Sequence, residues 1–415
     1  MMLFGMTTAL LLVVILALLA GGYMAWNIGA NDVANSMSTA VGANAITLRQ
    51  AVIIASVLNF VGAVFLGSHV TETVKGGIVD TAMIGSAHSV MLGFLAAILA
   101  ASFFVTVATW LELPVSTTHS IIGGITGFGL IAGGAEIIVW RKLGEVAASW
   151  VLSPVAGAVI AFIVFRLIVH CVFAAGEPVE AAEKFGPFFV GLTFFIVSFS
   201  LFTKTDLGTI LFGGELYQIV SASAVIFVVA AVLGAMIIRR FSYGEGYDAV
   251  EFLFRRLQVV TSCYVALSHG ANDVANAIAP LSVVLSSALE KTGIDIGGLS
   301  YYLLALGGVG IAVGVMTWGY KVIRTLGSRI TDLTNTRGFS VDFGTATTVL
   351  AASKLGLPIS TSHTVVGAVI GVGLARGLEA VDLSVIKKIV YSWAVTLPAT
   401  VVMSIVIYRA LIFVW

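Results

Sequence analysis

The chain has 415 residues, of which 59% are apolar and only 10% are charged, and its mean hydropathy is +1.07. A soluble domain carries about 25% charged residues, so this composition excludes a soluble globule, a disordered chain and a nucleic-acid-binding protein with a basic patch. The apolar runs are unbroken and lack alternation, which disfavours a β-barrel and predicts an all-α polytopic protein of the lipid bilayer.

Eight apolar stretches are long enough to cross a bilayer, which takes about 20 residues. In chain order, the predicted crossings are 3–47, 50–68, 146–170, 185–203, 217–238, 257–288, 300–320 and 389–412. Two further apolar stretches, 86–132 and 340–375, are split near Pro114 and Pro358. We interpret each as a re-entrant hairpin of two half-helices that enters and leaves the membrane on one side.

Two motifs occur twice at nearly the same spacing. The Asn/Asp motif, Gly-Ala-Asn-Asp-Val-Ala-Asn, begins at Gly29 and again at Gly270, an offset of 241. The Ser/Thr motif, Leu-Pro-Val-Ser-Thr-Thr-His, begins at Leu113 and recurs as Leu-Pro-Ile-Ser-Thr-Ser-His from Leu357, an offset of 244. Because two unrelated motifs share nearly one offset, the chain contains a duplicated unit.

Clusters of basic residues predict the orientation of the two halves, because short loops rich in Lys and Arg stay in the cytoplasm. The clusters are Arg239, Arg240, Arg255 and Arg256; Lys321, Arg324, Arg329 and Arg337; and Arg376, Lys387 and Lys388. Placing all three inside gives the halves opposite orientations. The sequence therefore predicts two inverted repeats, 1–172 and 257–415, each with a broken helix and a re-entrant hairpin. Two linking helices and a cytoplasmic loop, within 173–256, join them.

The Asn/Asp motifs place amides and a carboxylate at membrane depth, where a carboxylate costs about 2.5–3.5 kcal/mol on insertion scales. Their polar side chains are Asn31, Asp32 and Asn35 in the first copy and Asn272, Asp273 and Asn276 in the second. The side-chain oxygens, with carbonyls freed at Gly29 or Gly270, are hard ligands that suit Na⁺. The alternative is that these side chains only form hydrogen bonds between packed helices.

The Ser/Thr motifs each place hydroxyls two residues after a proline and before an apolar run. Proline ends the incoming helix, and Ser or Thr then caps the next one. The hydroxyl residues are Ser116, Thr117 and Thr118, and Ser360, Thr361 and Ser362. Helix N-termini bind anions, so two of them meeting from opposite sides fit a tetrahedral oxyanion. The alternative is a simple capped turn.

Weaker candidates flank the two motifs. His119 and His363 are paired by the repeat and could orient a hydroxyl or carry a proton. Gln258 lies before the second Asn/Asp motif and could line a cation route, and Thr106 and Thr109 stand on the first hairpin. Packing is the alternative for each of them. The sequence contains no nucleophile–base pair that indicates an enzyme.

Both motif pairs resemble those of the inorganic phosphate transporter (PiT) family, and the resemblance covers nearly the whole chain. It implies import of phosphate with a cation, Na⁺ in some branches and H⁺ in others, and some relatives are described as sulfate permeases. It places phosphate contacts on Asp32, Asp273 and the six hydroxyl residues, and cation contacts on and around the motif asparagines. It also implies a homodimer in the cytoplasmic (inner) membrane, termini outside, and a compact prokaryotic form.

These residues suggest a coupled binding mechanism with Na⁺ and no organic cofactor. Two or more Na⁺ ions bound at the Asn/Asp motifs neutralise Asp32 and Asp273, which would otherwise repel an anion, and phosphate then binds between the hairpins. One alternative is H⁺-coupled uptake of phosphate or a metal–phosphate complex through His119, His363 or Glu112. Sulfate as the substrate, or a passive channel, are further alternatives.

Overall fold

The computed structural model describes residues 2–3, 6–111, 113, 115–204, 206–240, 244–292, 297–320, 322–323, 334–377 and 383–415. Within these residues β-pairing is confined to a two-residue antiparallel pairing of Met2–Leu3 with Met6–Thr7 and a single bridge between Val79 and Ile138. The remaining secondary structure is helical, as the composition predicts.

The first part of the chain forms α1 to α6. These helices are α1 (Thr8–Gly42), α2 (Leu48–Leu66), α3 (Ser68–Gly77), α4 (Ala87–Trp110), α5 (Thr117–Gly133) and α6 (Trp140–Ile168). A π turn over Val169–Phe173 extends α6. The start of α2 is fixed by a capping box, in which the Thr47 side chain and the Gln50 side chain each bond the other's backbone N–H.

The second part of the chain forms α7 to α15. These helices are α7 (Pro178–Lys204), α8 (Asp206–Phe212), α9 (Leu216–Arg240), α10 (Gly246–Asp273), α11 (Ala275–Thr292), α12 (Leu299–Gly314), α13 (Asn335–Lys354), α14 (Thr361–Arg376) and α15 (Leu383–Val414). A π turn over Val315–Gly319 extends α12. The sequence predicts that the polar segment 239–256 is a cytoplasmic loop or a surface helix; because α10 begins at Gly246, more than half of this segment is helical.

Eight of the described helices are long and apolar enough to cross a membrane, and seven of them match predicted crossings. The predicted crossing 257–288 is formed by two helices, α10 and α11, which are separated at Val274 within the second Asn/Asp motif, where a broken helix was expected. Polar side chains leave each of the two less apolar than the eight candidate spans. The eighth span is α4, whose 24 residues extend about 36 Å, too long for the expected half-helix.

Both predicted hairpins are present as packed helix pairs, α4 with α5 and α13 with α14. The helices of each pair are joined by residues 111–116 and 355–360. Gly356 adopts a φ of 67°, the left-handed conformation that glycine permits at the end of a helix. In the first connection, Glu112 and Pro114 lie outside the described residues, as do Lys321, Arg324 and Arg329 of the orientation argument.

The expected helix break differs between the two Asn/Asp motifs. The first motif lies inside the continuous helix α1, and the second is interrupted only at Val274. The expectation of carbonyls freed at Gly29 is therefore wrong. A Cβ on Gly29 would lie 2.0 Å from the carbonyl oxygen of Ile311, and one on Gly270 would lie 2.1 Å from that of Asn59. Both glycines let a neighbouring helix approach the backbone closely.

Helices of each half pack against helices of the other half, and the same pattern occurs in both directions. α2 packs against α10, and α12 packs against α1. α6 packs against both helices of the second hairpin, α13 and α14, whereas α15 packs against both helices of the first, α4 and α5. This exchange brings the connections of the two hairpins, and the two Asn/Asp motifs, into one buried region.

Candidate functional site: a carboxylate pair between two helix N-termini

Two carboxylates lie next to each other in the interior. Asp32, in α1, is 1% exposed, and Asp273, at the end of α10, is fully buried. A carboxylate oxygen of each and a ring nitrogen of His269 all lie within 4.8 Å of one another. Two ionised carboxylates at that distance repel by about 3 kcal/mol at an effective dielectric constant of about 20. The pair therefore favours a bound cation or proton.

Asp32 accepts hydrogen bonds from the first Ser/Thr motif and from its own motif. The Thr117 hydroxyl donates to Asp32 Oδ2 at 2.8 Å, and the Asn35 amide donates to Asp32 Oδ1 at 3.4 Å. The same amide donates to the Ser362 hydroxyl at 2.8 Å. Asn35 thus connects the first Asn/Asp motif to the second Ser/Thr motif.

The second Asn/Asp motif makes the corresponding contacts to the first Ser/Thr motif. The Asn276 amide donates to Asp273 Oδ1 at 3.0 Å and to the Thr118 hydroxyl at 3.1 Å. Thr118 Oγ1 also lies 3.5 Å from Asp273 Oδ1. Each motif therefore contacts the Ser/Thr motif of the other half, and the predicted residues of both halves share one site.

The first asparagine of each motif bonds to the incoming helix of a hairpin. Asn31 donates to the Thr109 hydroxyl at 2.8 Å, and Asn272 donates to the Ser353 hydroxyl at 3.0 Å. Thr109, a weaker candidate, is thus part of the site. Ser353 occupies the position of Thr109 at the offset of 244 that the Ser/Thr motifs define, and sequence reasoning overlooked this signal.

Several oxygens at the site lack donors. Asn272 Oδ1, Asn276 Oδ1 and Asp273 Oδ2 are buried and have no hydrogen-bond partner among the described residues. Uncompensated buried oxygens are costly, and such oxygens are the ligands that hard cations prefer. The donor set on the α10 side therefore fits a cation such as Na⁺.

Sequence reasoning missed His269, which has no counterpart in the first half because Ile28 occupies that position. Its ring forms a short hydrogen bond with the side chain of Asn59, and its Nε2 lies 3.4 Å from Asp273 Oδ2. Its position directly before the second Asn/Asp motif was the available signal. With Asp32 and Asp273, it forms a set of side chains able to hold a metal ion.

The Ser/Thr motifs begin helices, as predicted. Ser116 caps α5 by accepting the His119 backbone N–H at 3.2 Å, and Ser360 caps α14 by accepting the His363 backbone N–H at 3.3 Å. The first N–H groups of each helix have no partner within the helix. The two hairpins therefore present two positively polarised N-termini to the carboxylate pair.

The two hairpin ends, residues 115–119 and 359–363, contact each other reciprocally. The Thr118 hydroxyl donates to the Ile359 carbonyl oxygen at 3.0 Å, and the Ser362 hydroxyl donates to the Val115 carbonyl oxygen at 3.4 Å. All six predicted hydroxyl residues are buried. The structure thus brings both Ser/Thr motifs and both Asn/Asp motifs into one cluster.

Two of the weaker candidates lie outside this cluster. Thr106 donates to Asn27 Oδ1 at 2.8 Å and also bonds with the Tyr23 hydroxyl. Gln258 precedes Asp273 by 15 residues on α10, about 22 Å along the helix, and its amide has no hydrogen-bond partner among the described residues. Neither side chain contacts the carboxylate pair, and His119 and His363 point to each other behind the hairpin ends.

Sequence reasoning also missed Asp342, a third buried carboxylate, on α13. It accepts hydrogen bonds from the Thr39 hydroxyl at 2.7 Å and from the Ser262 hydroxyl at 2.5 Å. Ile98 occupies the equivalent position in the first half, so comparison of the repeats passed over it. An isolated acidic residue in an apolar stretch was the available signal.

A model of the phosphate transporter family matches residues 28–404, which contain every site residue described above. The chain belongs to this family. It is therefore a multi-pass membrane transporter and not an enzyme, and the resemblance of its motifs is confirmed.

Individual relatives cover nearly the whole chain. A Pyrococcus furiosus protein named "putative phosphate permease" is 49% identical, with 96% of each chain covered. The chloroplast inorganic phosphate transporter 2-1 of Arabidopsis thaliana is 41% identical over 94% of this chain and 70% of its own. The solved structure of a sodium-dependent phosphate transporter is 45% identical, covers 97% of this chain and 100% of its own, and superposes with a TM-score of 0.90.

Proposed function

We propose that this protein imports inorganic phosphate with Na⁺ across the cytoplasmic membrane by alternating access. One observation carries the proposal: the buried carboxylate pair and the donor-free amide oxygens lie directly against two capped helix N-termini. The proposed cation site and the proposed anion site are therefore adjacent. The family supports phosphate as the substrate, and the sodium-dependent transporter of similar structure supports Na⁺.

In this proposal, two or more Na⁺ ions bind first, at the Asn/Asp motifs. Their ligands are the carboxylates of Asp32 and Asp273 and the side-chain oxygens of Asn31, Asn35, Asn272 and Asn276. Burial of two carboxylates without a cation costs their mutual repulsion of about 3 kcal/mol, in addition to the cost of desolvation. Bound Na⁺ removes this cost and the repulsion of an incoming anion, so each ligand strengthens the binding of the other.

Phosphate then binds between the hairpin ends. Its contacts are Asp32 and Asp273, once these are neutralised, the hydroxyls of Ser116, Thr117, Thr118, Ser360, Thr361 and Ser362, and the free N–H groups of α5 and α14. Phosphate near neutral pH donates as well as accepts hydrogen bonds, so it can contact a carboxylate. Sulfate only accepts, and the carboxylate pair therefore disfavours it.

Alternating access in this proposal uses two inverted repeats, 1–172 and 257–415, connected through 173–256. The exchanged helix pairs and the reciprocal contacts of the hairpin ends support a two-fold relation between the repeats. Inverted repeats with interrupted helices are typical of secondary transporters. Both termini then lie outside, and the family resemblance adds a homodimer.

A second candidate is H⁺-coupled import of a metal–phosphate complex. The observation that favours it is the set formed by Asp32, His269 and Asp273, whose ligand atoms lie within 4.8 Å of one another. Imidazole and carboxylate together suit a transition metal ion, and all three groups can exchange protons. The same transport assay distinguishes this candidate from Na⁺ coupling.

The experiment is uptake of radiolabelled phosphate into proteoliposomes at fixed membrane potential, under an inward Na⁺ gradient or an inward H⁺ gradient. We expect accumulation above equilibrium with the Na⁺ gradient alone, without added divalent metal. Accumulation driven only by H⁺ and requiring a divalent metal supports the second candidate. Sulfate accumulation without phosphate accumulation overturns the assigned substrate, and equilibration without accumulation indicates a channel.

A further inference from the structure

Four aromatic rings form a continuous ring column behind the hairpin ends. The centre of the Trp150 ring lies 3.9 Å from that of His119, and the His363 ring stacks on Trp393 with centres 3.5 Å apart. His119 and His363 meet edge to face at 4.5 Å. Trp150 and Trp393 are 243 residues apart, so all four rings follow the repeat.

The ring column starts from the two residues whose backbone N–H groups bond to the helix caps. The backbone N–H groups of His119 and His363 bond to Ser116 and Ser360, the caps of α5 and α14. Their rings therefore extend from the first turn of each helix, directly behind the two N-termini. Trp150 lies on α6 and Trp393 on α15, so the column connects four helices from both halves.

The histidine nitrogens contribute little to these contacts. Neither nitrogen of His119 forms a hydrogen bond of ordinary geometry with the described residues, and its one polar neighbour of note is the backbone of Trp393. His363 Nδ1 lies 3.4 Å from the Trp150 carbonyl oxygen, a long contact, and its Nε2 has no partner within the described chain. The rings thus act chiefly as flat aromatic surfaces.

We propose that the ring column is a positioning element that sets the distance and angle between the two helix N-termini. His119 and His363 then act through the hairpin ends, and neither is a ligand of phosphate nor a carrier of protons. The inference rests on the proposed anion site between these N-termini. The hydroxyl contacts between the ends are two hydrogen bonds of 3.0 and 3.4 Å, and the column supplies a second connection between them.

The test separates aromatic shape from nitrogen chemistry. His119→Phe keeps a ring and loses both nitrogens, whereas His119→Leu loses the ring. Trp393→Phe and Trp393→Leu form a second pair, and Trp393 Nε1 has no described hydrogen-bond partner to lose. The smaller phenyl ring cannot overpack at this position. Phe128→Leu is the matched control, because Phe128 lies on α5 and packs against the Phe94 ring at a tilted angle outside the column.

The first readout is equilibrium binding of radiolabelled phosphate to the purified protein at saturating Na⁺. Loss of the aromatic contacts on one ring is expected to raise the Kd for phosphate about tenfold in each Leu variant. The Phe variants should stay within about threefold of the unmodified protein. Phe128→Leu should lower the melting temperature and leave the Kd unchanged.

The second readout needs no phosphate. Spin labels on Leu113→Cys and Leu355→Cys, two exposed positions beside the hairpin ends, report their separation after Cys171 and Cys263 are replaced by alanine. We expect a narrow distance distribution in the unmodified protein and the Phe variants, and a broader one in the Leu variants.

Two results overturn the inference: distance distributions in the Leu variants as narrow as in the unmodified protein, or phosphate binding lost equally in Trp393→Phe and Trp393→Leu. Failure of the unmodified protein to bind phosphate would instead contradict the proposed function. In that case the spin-label distances still decide whether the column holds the hairpin ends together.

Discussion

Asp32 and Asp273 occupy equivalent positions in the repeat, yet their surroundings differ. Both oxygens of Asp32 accept hydrogen bonds, from Asn35 and Thr117. The donors to Asp273, Asn276 and Thr118, both bond its Oδ1, whereas its Oδ2 has no hydrogen-bond partner among the described residues and lies 3.4 Å from His269 Nε2. A buried carboxylate oxygen without a donor depends more on a bound cation. We therefore expect the two residues to contribute unequally to Na⁺ binding.

The first prediction concerns this inequality. Asp273→Asn should raise the Na⁺ concentration for half-maximal phosphate uptake about tenfold or more, because it removes the less compensated charge. Asp32→Asn should raise it by a smaller factor. The measurement is a Na⁺ titration of uptake into proteoliposomes. Glu145→Gln, which removes an exposed carboxylate paired with Arg141 and Lys142, is the control. Unchanged Na⁺ activation in both Asp variants would exclude these carboxylates as cation ligands.

At the scale of single elements, the geometry at the start of a helix is more important for the proposed anion site than the length of the helix. α5 and α14 begin with almost the same geometry: their capping serines have φ of −93° and −91° and ψ of 114° in both. Each cap accepts the N–H of the residue three positions on, which leaves the preceding N–H groups free. Two helices of different sequence and length thus present equivalent N-termini with free N–H groups, as the proposed anion site requires.

The second prediction separates capping from anion binding. Ser360→Ala removes the cap and should destabilise the protein by about 0.5–2 kcal/mol. Ser360→Asp keeps a good capping group, so thermal stability should be preserved, but its negative charge should raise the KM for phosphate at least about tenfold. Ser86→Asp, at the exposed cap of α4, is the control. An unaltered KM in Ser360→Asp would place the anion elsewhere.

The third prediction concerns the contact between α1 and α12. A Cβ on Gly29 would lie 2.0 Å from the Ile311 carbonyl oxygen, whereas nothing lies within 4 Å of one on Gly22 in the same helix. Gly29→Ala should therefore lower the free energy of unfolding by about 1–3 kcal/mol, because the helices must separate. Gly22→Ala should be neutral or stabilising. Equal melting temperatures for the two variants in detergent would contradict this role of Gly29.

At the scale of the whole molecule, neither half contains a complete site. Asn35 of the first half bonds to Ser362 of the second, and Asn276 of the second half bonds to Thr118 of the first. Exchanged packing of α6 and α15 against the opposite hairpins makes these contacts. The site therefore forms only when both halves fold against each other.

The fourth prediction concerns the orientation of the chain in the membrane. The proposed inverted arrangement puts the C-terminus outside and the connection between α9 and α10 inside, because positively charged loops stay in the cytoplasm. In a background without Cys171 and Cys263, Trp415→Cys should react with an impermeant maleimide added to intact cells. Glu245→Cys, an exposed position before α10, should react only after the cells are opened. The opposite labelling pattern would reverse the proposed orientation.

Most of the site could be predicted because the repeat marks it. Each residue of the two motif pairs has a counterpart, and polar residues at membrane depth are costly unless they are used. His269 and Asp342 were missed because Ile28 and Ile98 occupy the equivalent positions. Ser353 was missed for another reason: it is one serine among many, and its correspondence to Thr109 at the repeat offset becomes informative only with its contact to Asn272.

The sequence by itself determined the class of protein, the duplication, the positions of seven crossings, the capping serines and the motif residues. These follow from local composition and spacing, which need no knowledge of distant contacts. Tertiary structure alone decided that the first Asn/Asp motif stays helical and that each motif contacts the Ser/Thr motif of the other half. It also decided that α4 is a full-length helix and that four rings join behind the hairpin ends. Such features depend on which helices approach each other closely, and that is set by packing between residues hundreds of positions apart.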